Sequence, residues 1–266
     1  MNKYLLLITT EDRFIECSTF IESVNLYIKN DWKLIAVCQG HTTDQLEYFK
    51  ELCHIPIEVL YYPERLGMFN ARQEGIKHIL AESEEEIAIV TVDDDMILLP
   101  QTNYENLIKF VKDPSIGLVS ANWISHENFL NKRKLQEKLV KQAIVYTGGG
   151  MAFGRAVAEL IAKLPQGQYF SDNSEIAVKV YVAGYENYRY LGSLTMHKAC
   201  RKGGRKKWVN EGEQKQLPDP KLLTIRLGKA GENAPNDNKL LIADSSDLTE
   251  LAHKLHNQNK AVLQRK

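Results

Sequence analysis

Three carboxylates in a row, Asp93, Asp94 and Asp95, follow directly on the apolar, β-branched run Ile87–Val92. Such a run reads as a buried strand delivering charge to one edge of a sheet. Clustered carboxylates repel one another unless a cation offsets them. A divalent metal is the usual one, because hard ions take oxygen ligands and bridge to phosphates. Asp also favours helix N-caps, so an acidic turn accounts for the triplet equally well when it is taken alone.

Other residues suit the same chemistry. Arg65-Leu66-Gly67 opens a helical stretch with Arg72 one turn further in. Gly67 admits an anion or a ring against bare backbone, the helix start adds a positive dipole end, and both arginines carry charge suited to phosphate. In isolation this is an amphipathic helix with two surface arginines; a strand ending in three aspartates about twenty residues later favours the anion site. Asp172 and Glu175, flanking Asn173, stand three apart on one helical turn and can face one pocket. They satisfy a capping box as well, and both roles are compatible. His197 follows a strand and becomes a third metal ligand only beside the aspartates.

The elements that must hold these groups alternate. Strand-like runs at Tyr4–Thr10, Lys33–Cys38, Ile57–Tyr62, Ile87–Val92 and Gly117–Ala121 are separated by helical stretches at Phe14–Lys29, Thr43–Cys53, Phe69–Ala81 and Asn103–Val111. This rhythm predicts an α/β fold with a mostly parallel central sheet and helices on both faces. Ligands in such folds bind beyond the carboxyl ends of the strands, where Thr9, Gln39, Arg65 and the aspartates fall. Further on, a glycine triplet leads into Met151, a helix runs over about 173–183, and Tyr188–Leu191 reads as a strand. The stretch 211–266 is expected to be a C-terminal extension to a 1–210 domain, ending in a helix over Asp247–Asn259 capped near Ser245 or Ser246.

Composition narrows the class. Lys+Arg and Asp+Glu balance at 34 each, so net charge calls for no polyanionic partner. The four cysteines lack CxxC or zinc spacing and suit a reducing compartment. Tyr4–Ile8 is too short for a signal core or a membrane span, which makes a cytoplasmic location the expectation, in a bacterium or in a host cell that expresses a phage gene. No membrane partner and no obligate protein partner are expected.

The order of these motifs resembles the nucleotide-sugar glycosyltransferases of GT-A fold over roughly residues 4–207. Cys38-Gln39-Gly40-His41-Thr42-Thr43-Asp44 is similar to the Asp-Asn-Gly-Ser-Thr-Asp signature of glycosyltransferase family 2, with Gln39 in place of Asn. Asp93-x-Asp95 resembles the DxD motif, and the segment with Gly149, Gly150 and Met151 resembles an acceptor-side loop. Asp172–Glu175 and His197 are closer in spelling and spacing to polypeptide N-acetylgalactosaminyltransferases. The resemblance implies a UDP-sugar donor and a Mn²⁺ or Mg²⁺ ion held by Asp93, Asp95 and His197. It places the uridine near Thr9, Glu11 and Gln39. Arg65, Gly67, Arg72 and Asp93 would support the donor, Asp94 would meet the sugar or ribose, and Arg201 or Lys202 would close over the diphosphate.

Asn173 stands where inverting family 2 enzymes have a catalytic-base aspartate, and an amide cannot take the acceptor's proton as a carboxylate can. Either Asp172 or Glu175 is the base of an inverting reaction, or the enzyme retains configuration; retention is the expectation. For the acceptor, Lys198–Lys207 holds six cations in ten residues and Trp208 follows. Cations with an aromatic can grip a phosphate backbone and stack a base, which opens a hydroxymethylated base in DNA as one hydroxyl acceptor. The alternative is that two or three of these cations hold UDP and the rest are solvated. A glycan or protein acceptor, a nucleotidyltransferase and a non-catalytic binding module are the competing classes. The nucleotidyltransferase would carry a glycine-rich loop after the first strand, and Thr9–Arg13 has no glycine.

Overall fold

The computed structural model describes residues 1–125, 135–142, 149–164, 172–197 and 245–264; for residues 125, 172–175 and 245–252 it describes the backbone alone. Lys198–Trp208, with Arg201 and Lys202, lies outside the described residues.

Continuous apolar runs form the middle of one sheet. Strands β1 (Asn2–Thr10), β2 (Trp32–Gln39), β3 (Ile57–Tyr62) and β4 (Ile87–Asp93) lie parallel in the order β3-β2-β1-β4. Helices α1 (Phe14–Tyr27), α2 (Thr43–Leu52) and α3 (Met68–Glu82) connect them. Burial on both faces explains why these strands read as unbroken apolar runs. Leu5, Leu7, Ala36 and Val90 face α1 and α2, whereas Leu6, Ile8, Val37 and Ile89 face α3. Each fully buried aliphatic side chain of this kind contributes about 1.5–3 kcal/mol.

The remainder of the sheet is mixed. Beyond β4 the order is β8 (Met151–Gly154), β6 (Ile116–Ser125), β9 (Glu186–His197) and β5 (Met96–Leu98), with β7 (Leu139–Lys141) against β9. β8 runs antiparallel to both neighbours, so the glycine-led segment is a central strand and Met151 is fully buried in the core. What it can offer an acceptor is therefore backbone. α4 (Tyr104–Phe110), α5 (Arg155–Ala162), α6 (Asp172–Val182) and α7 (Ser245–Leu263) complete the described helices. β9 carries a bulge: Tyr190 faces Ala121, and the next residue in register, Leu194, faces Asn122. The Ser193 hydroxyl in that bulge accepts from the Asn103 backbone N–H at 2.8 Å.

At the amino ends of β2 and β3, Lys33 Nζ donates at 2.6 Å to both Glu58 and Glu82, and His78 Nε2 lies 2.9 Å from Glu58. The Lys33 hydrogen bond is the main reason the Glu58 carboxyl is pulled from 4.5 down to about 2. A carboxylate depressed on folding adds stability above its unfolded pKa and loses it as pH falls through the folded one. Lys33→Met is thus expected to begin acid unfolding at higher pH than the wild type within the window from about 4.5 to about 2, read by near-UV circular dichroism.

Candidate active site

The register brings the ends of four strands to one edge: Ile8 faces Asp93, Thr10 faces Gln39, and Gln39 faces Tyr62. After β1 the chain makes one 3₁₀ turn, Glu11–Arg13, across this edge. β9 reaches the edge from the other half of the sheet and sets His197 opposite Met96, the residue after the triplet.

The three aspartates have three surroundings. Asp93 Oδ1 accepts from Arg72 Nη2 at 3.2 Å. Asp95 Oδ1 lies 3.2 Å from His197 Nε2, and its Oδ2 lies 3.9 Å from Arg13 Nη2. Asp94 sits beside Thr9, Cys17 and Cys38. Burial, then the charges of Asp95 and Asp93, push its carboxyl well above the ordinary range against the pull of Arg13 and Thr9. Burial of Cys38, with the Asp94 charge second, holds that thiol up at about 12. At His197, burial acts to lower the imidazole pKa, but contact with Asp95 and the Asp93 charge raise it overall.

Arg72 is the largest departure from the sequence expectation. It has no exposed surface, donates to Thr91 as well as Asp93, and so belongs to the core rather than to a phosphate. The helix geometry gives the reason. Phe69, Arg72, Ile76 and Ile79 form the inner stripe of α3, and Gly75 lets the helix press close, where a Cβ would come within 2.3 Å of Leu6. Arg65 is also engaged, donating to Glu11 at 2.6 Å and to Asp12 at 3.1 Å. Gly67 caps α3 with φ +80, a backbone that disfavours any side chain.

The carboxyl ends of β1 and β2 carry buried polar atoms on both faces of the sheet, Gln39 on the α3 side and Thr9 on the α1 side. Gln39 Oε1 accepts from the Leu66 N–H at 2.8 Å, which fixes the amide and leaves Nε2 buried without a partner. Thr9 Oγ1 is buried against the Asp94 carboxyl, and both ring nitrogens of His41 are buried as well. Glu11 rests on Gly40, whose φ is +75 and where a Cβ would meet its carboxylate at 2.5 Å. The Thr42–Gln45 part of the signature is a capping box that starts α2.

Gly149 and Gly150 pack against Ala121 and Tyr104, with Gly150 at φ +89. Asp172, Asn173 and the backbone of Glu175 form the first turn of α6; their side chains lie outside the described ones. Two residues at the edge escaped the sequence reading. Arg13 signals nothing by spacing. Half-buried Trp123 approaches His197 only through the β6–β9 register, with ring centroids 5.7 Å apart.

The donor set of Asp95 and His197, with Asp93 nearby, suits a borderline-hard divalent ion. Among the described residues, the group whose ligand atoms all lie within 4.8 Å of one another is Glu58, His78 and Glu82. It sits at the opposite end of the strands, and Lys33 already bridges its two carboxylates. No helix among the described residues is long and apolar enough to cross a membrane.

Comparison with known proteins matches a family model, glycosyl transferase family 2, to residues 18–161, just over half of the chain. A sequence search of curated proteins gives no match. Among solved structures, mannosyltransferase PcManGT from Pyrobaculum calidifontis, in complex with GDP-Man and Mn²⁺, superposes with a TM-score of 0.58 at 18% identity, over 99% of this chain and 72% of that one. GalNAc-T7 with UDP, GalNAc and Mn²⁺ gives 0.62 at 13% identity, over 100% of this chain and 56% of that one. S. aureus TarS 1-349 gives 0.57 at 10% identity, over 100% and 90%. At these identities the three likenesses concern the fold.

Proposed function

The chain belongs to glycosyl transferase family 2 and is a glycosyltransferase, and from that premise we propose that it moves a hexose or N-acetylhexosamine from a UDP-sugar to a hydroxyl with the help of Mn²⁺ or Mg²⁺. The contact between Asp95 and His197 at the carboxyl edge of the parallel strands carries the reading. Asp95 and His197 would hold the ion, with Asp93 beside them. A bound divalent cation would supply charge stabilisation to the diphosphate as it leaves.

The protein's own groups divide the remaining work. Arg72 holds the Asp93 carboxylate in place from beneath. The fixed Gln39 Nε2 is a donor in need of an acceptor, which the carbonyl of a uracil ring provides. Glu11 rests on Gly40 next to Gln39 and is steadied by Arg65, while Thr9 and His41 add buried polar atoms at the same strand ends. The half-buried Trp123 ring beside His197 offers an apolar face to a sugar ring.

For the reaction course, Asn173 in the position of the family's base supports retention, with Asp172 and Glu175 in the same helical turn. Hydroxymethylated DNA, gripped through Lys198–Trp208, is the acceptor proposed; a glycan or a protein is the other class. The free thiols of Cys17, Cys38 and Cys53 fit a reducing, cytoplasmic setting.

UDP with Mn²⁺ at about 100 times its Kd is expected to raise the melting temperature by ~5–10 °C, and added UDP-sugar to be slowly hydrolysed. Absence of both the shift and the hydrolysis, with every UDP-sugar tried, would sink the proposal. A larger shift with GDP than with UDP would move the donor to the class seen in the mannosyltransferase structure. Label transfer into hydroxymethylated but not plain DNA tests the acceptor; silence on both removes DNA.

A further inference from the structure

α7 packs against the carboxyl end of α6 and the start of β9. The contacts are specific. His256 is 3% exposed and stacks on Tyr181 with ring centroids 3.9 Å apart and planes 3° from parallel. Its Nδ1 lies 2.8 Å from the Tyr181 carbonyl oxygen, a geometry in which that nitrogen donates. Asn259 Nδ2 donates to the Val182 carbonyl at 2.8 Å, and His253 Nδ1 lies 3.0 Å from the Tyr181 hydroxyl. Side chains of α7 thus reach two of the last carbonyls of α6: Asn259 satisfies that of Val182, and His256 adds a second donor to that of Tyr181, which also accepts from the Gly184 N–H at 2.9 Å.

Two further features fix the approach. At Gly184, with φ +104, a Cβ would come within 2.6 Å of the Lys260 backbone nitrogen, so the chain leaving α6 touches the α7 backbone. Glu186, 4% exposed at the start of β9, binds Lys260 and, at 2.6 Å, Lys141, and lies 3.4 Å from His256. Breaking such a buried charge cluster is costly, which gives the docking a single geometry.

We infer that α7 is a positioning element for the catalytic helix: His256 and Asn259 hold the carboxyl end of α6 and thereby set where its first turn, Asp172–Glu175, meets the acceptor. This rests on the proposed catalytic role of that turn. A rigid helix transmits displacement along its length, and a misplacement of about 1 Å at reacting groups can cost up to about 10²-fold in rate. The nucleotide site is built on the ends of β1, β2 and β4, elements that α7 does not contact through these side chains.

The test compares His256→Ala and the milder Asn259→Ala with the wild type in the full chain. Turnover is expected to fall on the order of tenfold, with donor KM and the UDP–Mn²⁺ thermal shift kept. Amide exchange is expected to quicken over 172–182 and stay unchanged over 87–93. His256→Asn, which restores a donor near the Nδ1 position, should recover part of the turnover. Unchanged exchange over 172–182 in both variants overturns the inference, and so does faster exchange with wild-type turnover. Loss of the UDP shift in both variants overturns it as well, by making the effect global. If the wild type transfers no sugar, the functional proposal falls by itself, and the exchange result alone decides whether α7 holds α6.

Discussion

Asp95→Asn is expected to lower sugar transfer by roughly 10²–10³-fold without lowering the melting temperature. The substitution keeps the shape of the side chain and removes one of the two groups proposed to hold the ion. It removes the charge that His197 faces at 3.2 Å, so the histidine loses its partner together with the site's strongest anion. Stability moves the other way, because Asp95 is the nearest like charge holding the buried Asp94 carboxyl up. Turnover with a UDP-sugar and Mn²⁺ checks the first effect and thermal melting the second. Glu58→Gln is the control, since it disables the other carboxylate–histidine cluster at the far end of the strands and should leave transfer intact. Wild-type turnover in Asp95→Asn would remove this residue from the proposed site.

Arg72→Leu is expected to cost about 3–5 kcal/mol of stability, which corresponds to a fall of ~6–20 °C in melting temperature. The guanidinium has no exposed surface and is shared between Thr91 and Asp93. Truncation takes from Asp93 and Thr91 the buried donor that they share. Arg72→Lys should rescue little, because an ammonium lacks the planar fork that reaches both partners. Adding Asp93→Asn to Arg72→Leu should return part of the lost stability, and thermal melts of the single and double variants measure the coupling. A loss in the double variant equal to the sum of the two single losses would show that the pair is not coupled.

The sequence revealed the parallel half of the sheet because burial on both faces demands unbroken apolar runs, and Leu5–Ile8, Leu34–Cys38 and Ile87–Val92 are such runs. It also revealed the carboxyl edge, since polar residues end each run. β8 was hidden because three glycines precede a strand of only four residues, and glycine-rich chain reads as loop. Arg72 was misread for a different reason. An arginine in the first turns of a helix that follows a glycine suits a phosphate, and nothing local announces that its partners lie 19 and 21 residues away on β4. Arg13 and Trp123 belong to the edge only through tertiary contacts with Asp95 and His197. Met151, expected in an acceptor-side loop, lies in the core, because it starts β8 paired with Thr91 and Ser120.

The bulge in β9 has a consequence for which changes in chain length the protein can accept. Tyr190 and His197 are separated by seven positions, an odd number, and an unbroken strand would place them on opposite faces. They share a face because their partners, Ala121 and Ser125, stand an even four apart, and the bulge absorbs the three surplus residues. The face of His197 is therefore set by its pairing with Ser125 and Met96 and not by the count of residues back to Tyr190. Loss or gain of one residue at Leu191–Ser193 would be taken up in the bulge and leave His197 on the side of Asp95. Relatives of this chain should therefore vary in length here by single residues without loss of the histidine.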